Sequence, residues 1–454
     1  MRVRRRMYVR QWAWAGVKWV VGPVVGVLVI RGMWGWVAGR QLAEARRELA
    51  AAGVGVRVED YEGAAVPEER NAVVPVLHAI DNLRLTKGER ALVTGADEPA
   101  GMLEADFSPT EVADIDRILN SLGGMFEDLD AAMARPEARW PREYLQKYLQ
   151  WPTHAGFSRL ADVRFLAHVL QMGARRAHER HDDGACLHHI RQILALARVT
   201  DANPSMISHL MASALRATAA ETVDEFLPEL RLDAGDDRET RALLAELLAD
   251  RAFQEAKIVA FQFDAVYGGI DLAGYYPQLD SWLLRPVADE VIASRLRVQL
   301  RYMPAVESST YNGTVVPVVP RATSNLLASL TFVANDHYAV AYARCLFLDA
   351  ESLADTRAVG VLLAARTYWA QQGRWAGSLA ELRGLIGAGP ADPFARDGGA
   401  LRYRVDAGGP TVWSVGEDGV DGGGILRAGA ARTKRRDDQG DLVYGAAWRA
   451  FNGK

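Results

Sequence analysis

Cysteine is scarce in this chain, with two among 454 residues. That is too few for a disulfide framework, and it sets aside the small disulfide-stapled secreted scaffolds. Cys186 and Cys345 allow at most one bridge, and a pair of buried free thiols is the plainer reading. Catalytic signatures are missing too. There is no Gly-x-Ser-x-Gly elbow, no phosphate loop, and no dinucleotide fingerprint after a strand. In "GVGVRVED" (Gly53–Asp60) the glycines precede the strand-like run, the wrong side for a dinucleotide turn. The carboxylate pairs Glu59/Asp60 and Glu68/Glu69 read as solvated charges. No residue stands out as a nucleophile or general base, so the expectation is that the chain is not an enzyme.

Acidic residues are absent from residues 1–40, which hold eight basic ones: Arg2, Arg4, Arg5, Arg6, Arg10, Lys18, Arg31 and Arg40. Setting those eight aside leaves 45 of the 53 basic residues against all 57 acidic ones, a net of −12. A body that acidic has no global attraction to nucleic acid. The short basic run "RTKRR" (Arg432–Arg436) does not reverse this.

What the first forty residues do have is apolar length. Trp19–Ile30 is free of charge but too short to cross a bilayer, which takes about 20 residues. Trp12–Gly39 is long enough if Lys18 and Arg31 reach toward opposite headgroup layers. Trp12, Trp14, Trp19, Trp34 and Trp36 fall near the two ends, as interfacial anchors do, and the preceding arginines predict a cytoplasmic N-terminus. The expectation is a single-pass inner (cytoplasmic) membrane anchor with the body in the periplasm or outside. A cleaved signal with small residues Ala43 and Ala45 near its site is the alternative, and a buried or amphipathic segment is a third.

The body reads as mainly α. Residues 40–52 suggest a short solvated helix, and residues 53–75 an extended connection. Ser108-Pro109-Thr110-Glu111 is a capping box with proline in the first turn. Apolar stripes follow at Leu160, Val163, Ala167, Leu170 and Ala174, and at Leu187, Ile190, Leu194 and Ala197. Asn203-Pro204 is a candidate start for the next helix, with Ile207, Leu210 and Leu215 inward, and Asp236 and Asp237 for another. The short connectors favour antiparallel neighbours with the spacing of a helix-hairpin repeat. Residues 268–286 read as a long loop whose Tyr275, Tyr276 and Trp282 are covered by neighbouring helices. Expected divisions are 1–40 (basic tip and transmembrane anchor), 41–105 (linker and first helices), 106–348 (helical body) and 349–454 (a small α+β domain with an antiparallel sheet).

One histidine-rich stretch carries metal-binding donor types. "HERHDDGACLHH" places His178, His181, His188 and His189 beside Asp182, Asp183 and Cys186. His178 and His181 at i,i+3 can share a helix face, and zinc takes such donors. The stretch nevertheless spans a helix–turn–helix, matches no established zinc spacing, and reads first as a polar inter-helix turn.

In the last hundred residues the pattern changes. In "ALRYRV", Leu401, Tyr403 and Val405 alternate with Arg402 and Arg404, which predicts a strand with one buried face. The succession "YWAQQGRWAGSLAEL", "DPF", "LRYR", "WSVGEDGVDGG" and Asp441-Leu442-Val443 resembles the globular domain of the major pseudopilin of type II secretion systems, over roughly residues 350–445. Residues 1–40 lack the prepilin processing pattern, which departs from that family. The resemblance implies a structural calcium ion held by Asp418, Asp421, Asp438 and Asp441 on a glycine-permissive loop. A basic insertion, Ile425–Arg436, separates the two halves. The layout as a whole also resembles that of membrane-anchored bacterial envelope proteins. The expected function is a membrane-anchored envelope protein with a non-catalytic binding or scaffolding role toward a protein partner. The alternatives are a component of a type II secretion or pilus-like assembly, and a metal-dependent hydrolase with an unrecognised site.

Overall fold

The computed structural model describes residues 2–55, 58–61, 63–95, 107–141, 155–232, 237–275, 281–282, 284–308, 310–311, 326–425 and 440–445. In chain order the helices are α1 (Arg2–Ala51), α2 (Val73–Asn82), α3 (Lys87–Thr94), α4 (Pro109–Ser121), α5 (Gly123–Ala134), α6 (Ala155–Glu179), α7 (Asp183–Asp201), α8 (Met206–Phe226), α9 (Asp237–Leu247), α10 (Asp250–Tyr275), α11 (Arg285–Glu307), α12 (Leu326–Gln372) and α13 (Arg383–Ile386). Strands β1 (Arg402–Asp406), β2 (Gly409–Ser414) and β3 (Leu442–Tyr444) close the chain. Single 3-10 turns at Val58–Tyr61 and Glu68–Arg70 interrupt the expected extended connection.

α1 is one unbroken helix with Pro23 inside it. Val21, Val24, Val25, Val27, Leu28, Val29 and Ile30 are exposed, and the part of the helix long and apolar enough to cross a membrane is Val21–Ala51. From Arg31 on, the helix gains a buried face. Arg31, Ala38, Leu42, Ala45 and Leu49 are buried, and with Gly35 they recur in alternating steps of four and three. That is the period of a two-helix seam. Gly35 belongs in it because a Cβ there would lie 2.5 Å from the Arg31 guanidinium and 3.7 Å from Pro286. Leu42, Ala45, Leu49 and Val54 pack with Ile292, Ala293 and Leu296 of α11. Residues 40–52 are therefore a packed continuation of the apolar helix, where a solvated one was expected. Charged residues fill its outer face, and Arg297 of α11 pairs with Glu44 and Glu48 across the seam at 3.4 and 3.6 Å.

The two helices run parallel, since Trp34 bonds to Glu290 and Glu44 pairs with Arg297 further along both. α10 runs antiparallel to α11: Gln254 donates to the Val306 carbonyl at 3.0 Å and Gln299 to that of Phe261 at 2.7 Å. α10 continues as helix through Tyr275, past the glycine pair at 268–269 where a loop was expected. Trp282 is not covered but 58% exposed, and Tyr276 lies outside the described residues.

The middle of the chain follows its periodicity. Ser108 and Glu111 form the predicted capping box on α4, and Thr86 and Glu89 form another on α3. Every residue of the two predicted stripes on α6 and α7 is buried. On α8 the cap is Ser205, accepting from the Ser208 N–H, and not Asn203. The two-residue shift turns Ile207 outward while Leu215 stays inward.

α12 crosses the expected division at 348/349 without a break. Its residues Arg357 to Ala365 are all buried, because one side faces α8 and the other the sheet. The sheet is an antiparallel meander in the order β1-β2-β3, with Arg402 opposite Trp413 and Trp413 opposite Val443. Val412, Leu442 and Tyr444 join the same hydrophobic cluster as Leu166, Leu187 and Val223, so body and C-terminal module share one core. Leu49 is buried in the separate seam between α1 and α11, and Leu49→Ala should cost about 3 kcal/mol, as for a buried leucine truncation. Thermal unfolding of the detergent-solubilised chain measures it, and a solvated helix at 40–52 would show almost no loss.

Candidate functional site

The glycine-rich loop brings two of its aspartates to one place. Asp421 Oδ1 accepts from the Trp413 indole N–H and the Gly423 N–H, both at 2.9 Å. Asp441 accepts from Gly422 N–H at 3.1 Å and from Gly424 N–H at 2.7 Å. Gly424 must be glycine: its φ is +62°, and a Cβ would lie 2.5 Å from the Trp413 ring. Asp418 turns away into its own bend and accepts from Val420 N–H at 2.9 Å. Asp438 lies outside the described residues. Positive charge already occupies the loop. Arg404 donates to the carbonyls of Gly423 and Gly424 at 2.7 and 3.3 Å, and Arg402 lies 3.5 Å from Asp421. A hard cation needs six or more oxygens converging with little competing positive charge. The described donors fit that poorly, because N–H groups and guanidinium groups fill the place.

A further aspartate in this module has a buried role that the sequence did not single out. Asp392, of the "DPF" run, is 0% exposed. One oxygen accepts from Ser414 Oγ at 2.6 Å and Phe394 N–H at 3.0 Å. The other accepts from Val415 N–H at 2.9 Å, with Arg402 3.4 Å away. It ties the start of the module to the end of β2.

The histidine-rich stretch divides between two clefts. α6 ends and α7 begins within it, and His181 takes a left-handed φ of +63° at the turn. His178 and His181 open, with Asp183 and Glu229, into a cleft of about 690 Å³. His188 and His189 open into another of about 840 Å³, where His188 meets Asp130 at 2.7 Å. Cys186 is fully buried, and burial drives its thiol far above the ordinary range. Among the described residues no three His, Cys, Asp or Glu side chains converge as a metal site.

The cleft at His178 is the better built of the two. The His178 ring stacks on Phe226 at 4.9 Å, and its Nδ1 is 2.8 Å from Asp183 Oδ1. Asp183 is in turn fixed by the Arg231 N–H, 2.7 Å from its other oxygen. This chain of bonds leaves His178 Nε2 facing the cleft, 3.8 Å from Glu229. The opposite wall comes from α12 and the turn after it. Arg366 donates to the Leu230 carbonyl at 2.7 Å, lies 4.6 Å over the Trp369 ring, and keeps a buried Nε with no partner. Burial lowers its pKa. Trp375 packs against Trp369 at 5.7 Å. The cleft thus offers an imidazole nitrogen, carboxylates, a guanidinium and two indoles, in a volume suited to a small ligand or one side chain of a partner. Its described lining holds no serine, threonine or cysteine.

Deep under this surface lies a charged cluster that no local motif announces. His209 on α8 is 1% exposed. It meets Asp201 of α7 at 2.7 Å and Asp349 of α12 at 2.9 Å. Arg216 lies 3.3 Å from Asp201, and Lys257 3.5 Å from Asp349. Burial alone would strip the proton from His209, but the two carboxylates outweigh it and push its pKa up to about 9. Burial likewise opposes the charge on Asp349, yet His209, Lys257 and Arg216 hold its pKa below the ordinary value. Compared with protein-family models, with curated proteins and with solved structures, the chain matches none.

The cluster makes a signed prediction. The folded pKa of His209 lies above its ordinary 6.5, so its stabilisation is complete below pH 6.5 and disappears as pH rises through about 9. The melting temperature should fall across that window, and His209→Gln should flatten the slope while lowering stability at pH 6. A slope unchanged by the substitution would assign the pH dependence elsewhere.

Proposed function

We propose that the chain is a single-pass membrane-anchored envelope protein with a non-catalytic binding or scaffolding role. Residues preceding the apolar stretch face the cytoplasm and the body faces the periplasm, as the flanking arginines favour. The observation that carries the reading is the form of α1. Its exposed apolar segment passes without a turn into the seam on α11, which suits a helix that leaves a bilayer and holds a folded body at a set height. The cleft between His178 and Trp369 is the binding site in this reading. It joins the helical body to the C-terminal module, so an occupant would contact both. A place in a type II secretion or pilus-like assembly is the second reading, favoured by the three-stranded meander packed on α12.

The topology and the site are tested together. Protease added to intact spheroplasts should digest the body and leave a membrane-embedded fragment containing Val21–Ile30; full protection of the body would refute the exported orientation. Trp369→Ala with Arg366→Ala should abolish capture of the native partner by crosslinking in the envelope while leaving the melting temperature within a few degrees of the parent. Unchanged crosslinking would remove the cleft from the proposal.

A further inference from the structure

The parallel seam fixes how high the body stands over the membrane. Along α1, Trp12–Ile30 spans nineteen residues, a rise of about 28 Å at 1.5 Å per residue, close to the ~30 Å of a hydrocarbon core. Arg31 then falls at the lipid–water boundary. Its guanidinium does not reach for headgroups, as the sequence led one to expect. It lies 4.9 Å from the Trp282 ring and donates to the Trp282 carbonyl. The guanidinium lies against Gly35, one turn further along α1, so Arg31 reaches Trp282 on the side of the body. Trp34 adds a second tie at this level, donating to Glu290 of α11 at 2.7 Å. Trp282, at the approach to α11, therefore stands about one helical turn past the point where α1 leaves the exposed apolar stretch.

The side chains at that level have interfacial character. Trp282, Trp36 and Met33 are 58%, 63% and 66% exposed. An indole with one apolar body and one N–H favours the layer between acyl chains and water. Arg40 lies 4.8 Å over Trp36, and Arg285, which pairs with Asp289, begins α11 nearby. Basic groups so placed attract anionic lipid. We propose that Trp282 is seated in the headgroup layer of the leaflet that α1 leaves, so that the body meets the bilayer at a second point beside its anchor. This rests on the reading of α1 as a membrane span. Continuity with that span selects lipid as the occupant, because a second copy would have to displace the bilayer around α1 to reach Trp282.

The test uses the full-length chain in vesicles of phosphatidylethanolamine and phosphatidylglycerol. A nitroxide is placed through Ser281→Cys, which keeps Trp282, with Leu28→Cys and Val420→Cys as references. The native thiols stay silent at neutral pH, since burial pushes Cys345 up to about 12 and Cys186 higher still. The ratio of oxygen to aqueous nickel accessibility should be several-fold higher at position 281 than at 420, and lower than at 28. Adding Trp282→Gln should return position 281 to the value at 420. Equal ratios at 281 and 420, with 28 in hydrocarbon, would overturn the docking and leave the anchor standing. A label at 28 found in water would defeat the span and the docking with it. Shielding of 281 from both reagents, relieved by diluting the chain in lipid, would assign the patch to a second copy and overturn the proposal.

Discussion

The fold depends most on how α12 is fixed to the helices that precede it, and the fixing point is the buried contact of Asp349 with His209. An ion pair out of water contributes little net stability, because desolvation offsets most of the attraction. Its effect is on register. With Asp201 on the other side of the ring, His209 accepts only one height and one rotation of α12. A slip of one residue would turn Asp349 by about 100° and take its buried carboxylate away from His209 and Lys257. Ser352 repeats the constraint one turn later by donating to the Ser213 carbonyl at 2.8 Å. Beyond these two points α12 is mostly alanine, valine and leucine, a surface that packs well but specifies register weakly. The polar contacts supply the specificity, and the apolar length supplies the burial.

The cleft inherits that register. Arg366 and Trp369 lie about 26 and about 30 Å beyond Asp349 along α12, too far for direct influence but connected through one helix. Their position opposite His178 follows from where Asp349 is held. The same helix carries the sheet, which Asp392 closes by binding the end of β2. The α1–α11 seam is a second and independent constraint. It makes the first fifty residues a strut, where a helix followed by a flexible linker would only tether.

Much of this was legible locally. Capping boxes and apolar stripes depend on residues three or four apart, and those on α4, α6 and α7 were read correctly. The overall class, mainly helical with a small antiparallel sheet at the end, followed from the change of period near residue 400. The missed features all depend on partners remote in sequence. The heptad from Arg31 to Leu49 was present, but with glycine and alanines at half its positions and charges around it, the helix looked solvated until α11 supplied its other side. The pair at 268–269 looked like a turn because glycine is a poor helix former in isolation, yet α10 runs through it to Tyr275. Asp201, His209 and Asp349 are separated by 8 and 140 residues, and nothing short-range joins them. His178 was read first as part of a polar inter-helix turn, and only the distant Arg366 and Trp369 make it one wall of a cleft. Of the four aspartates that the resemblance grouped, Asp421 and Asp441 accept from neighbouring glycine N–H groups, while Asp418 turns into its own bend.

The two constraints act on different ends of the molecule and restrict function in complementary ways. A body joined to its anchor through a linker can sweep a wide volume and search for partners. A body held by a parallel helix seam cannot, so in the reading of α1 proposed above its cleft presents at one distance and one orientation from the bilayer. The cleft itself lies across the joint between body and module, which the buried ionic cluster holds in a single arrangement. An occupant there pays little for ordering the protein, because His178, Arg366 and Trp369 are already set by contacts behind them. Preorganisation of this kind suits recognition of something that stays at the membrane surface, and it makes the height of the body, set where Arg31 meets Trp282, as much a determinant of what can bind as the chemistry of the cleft.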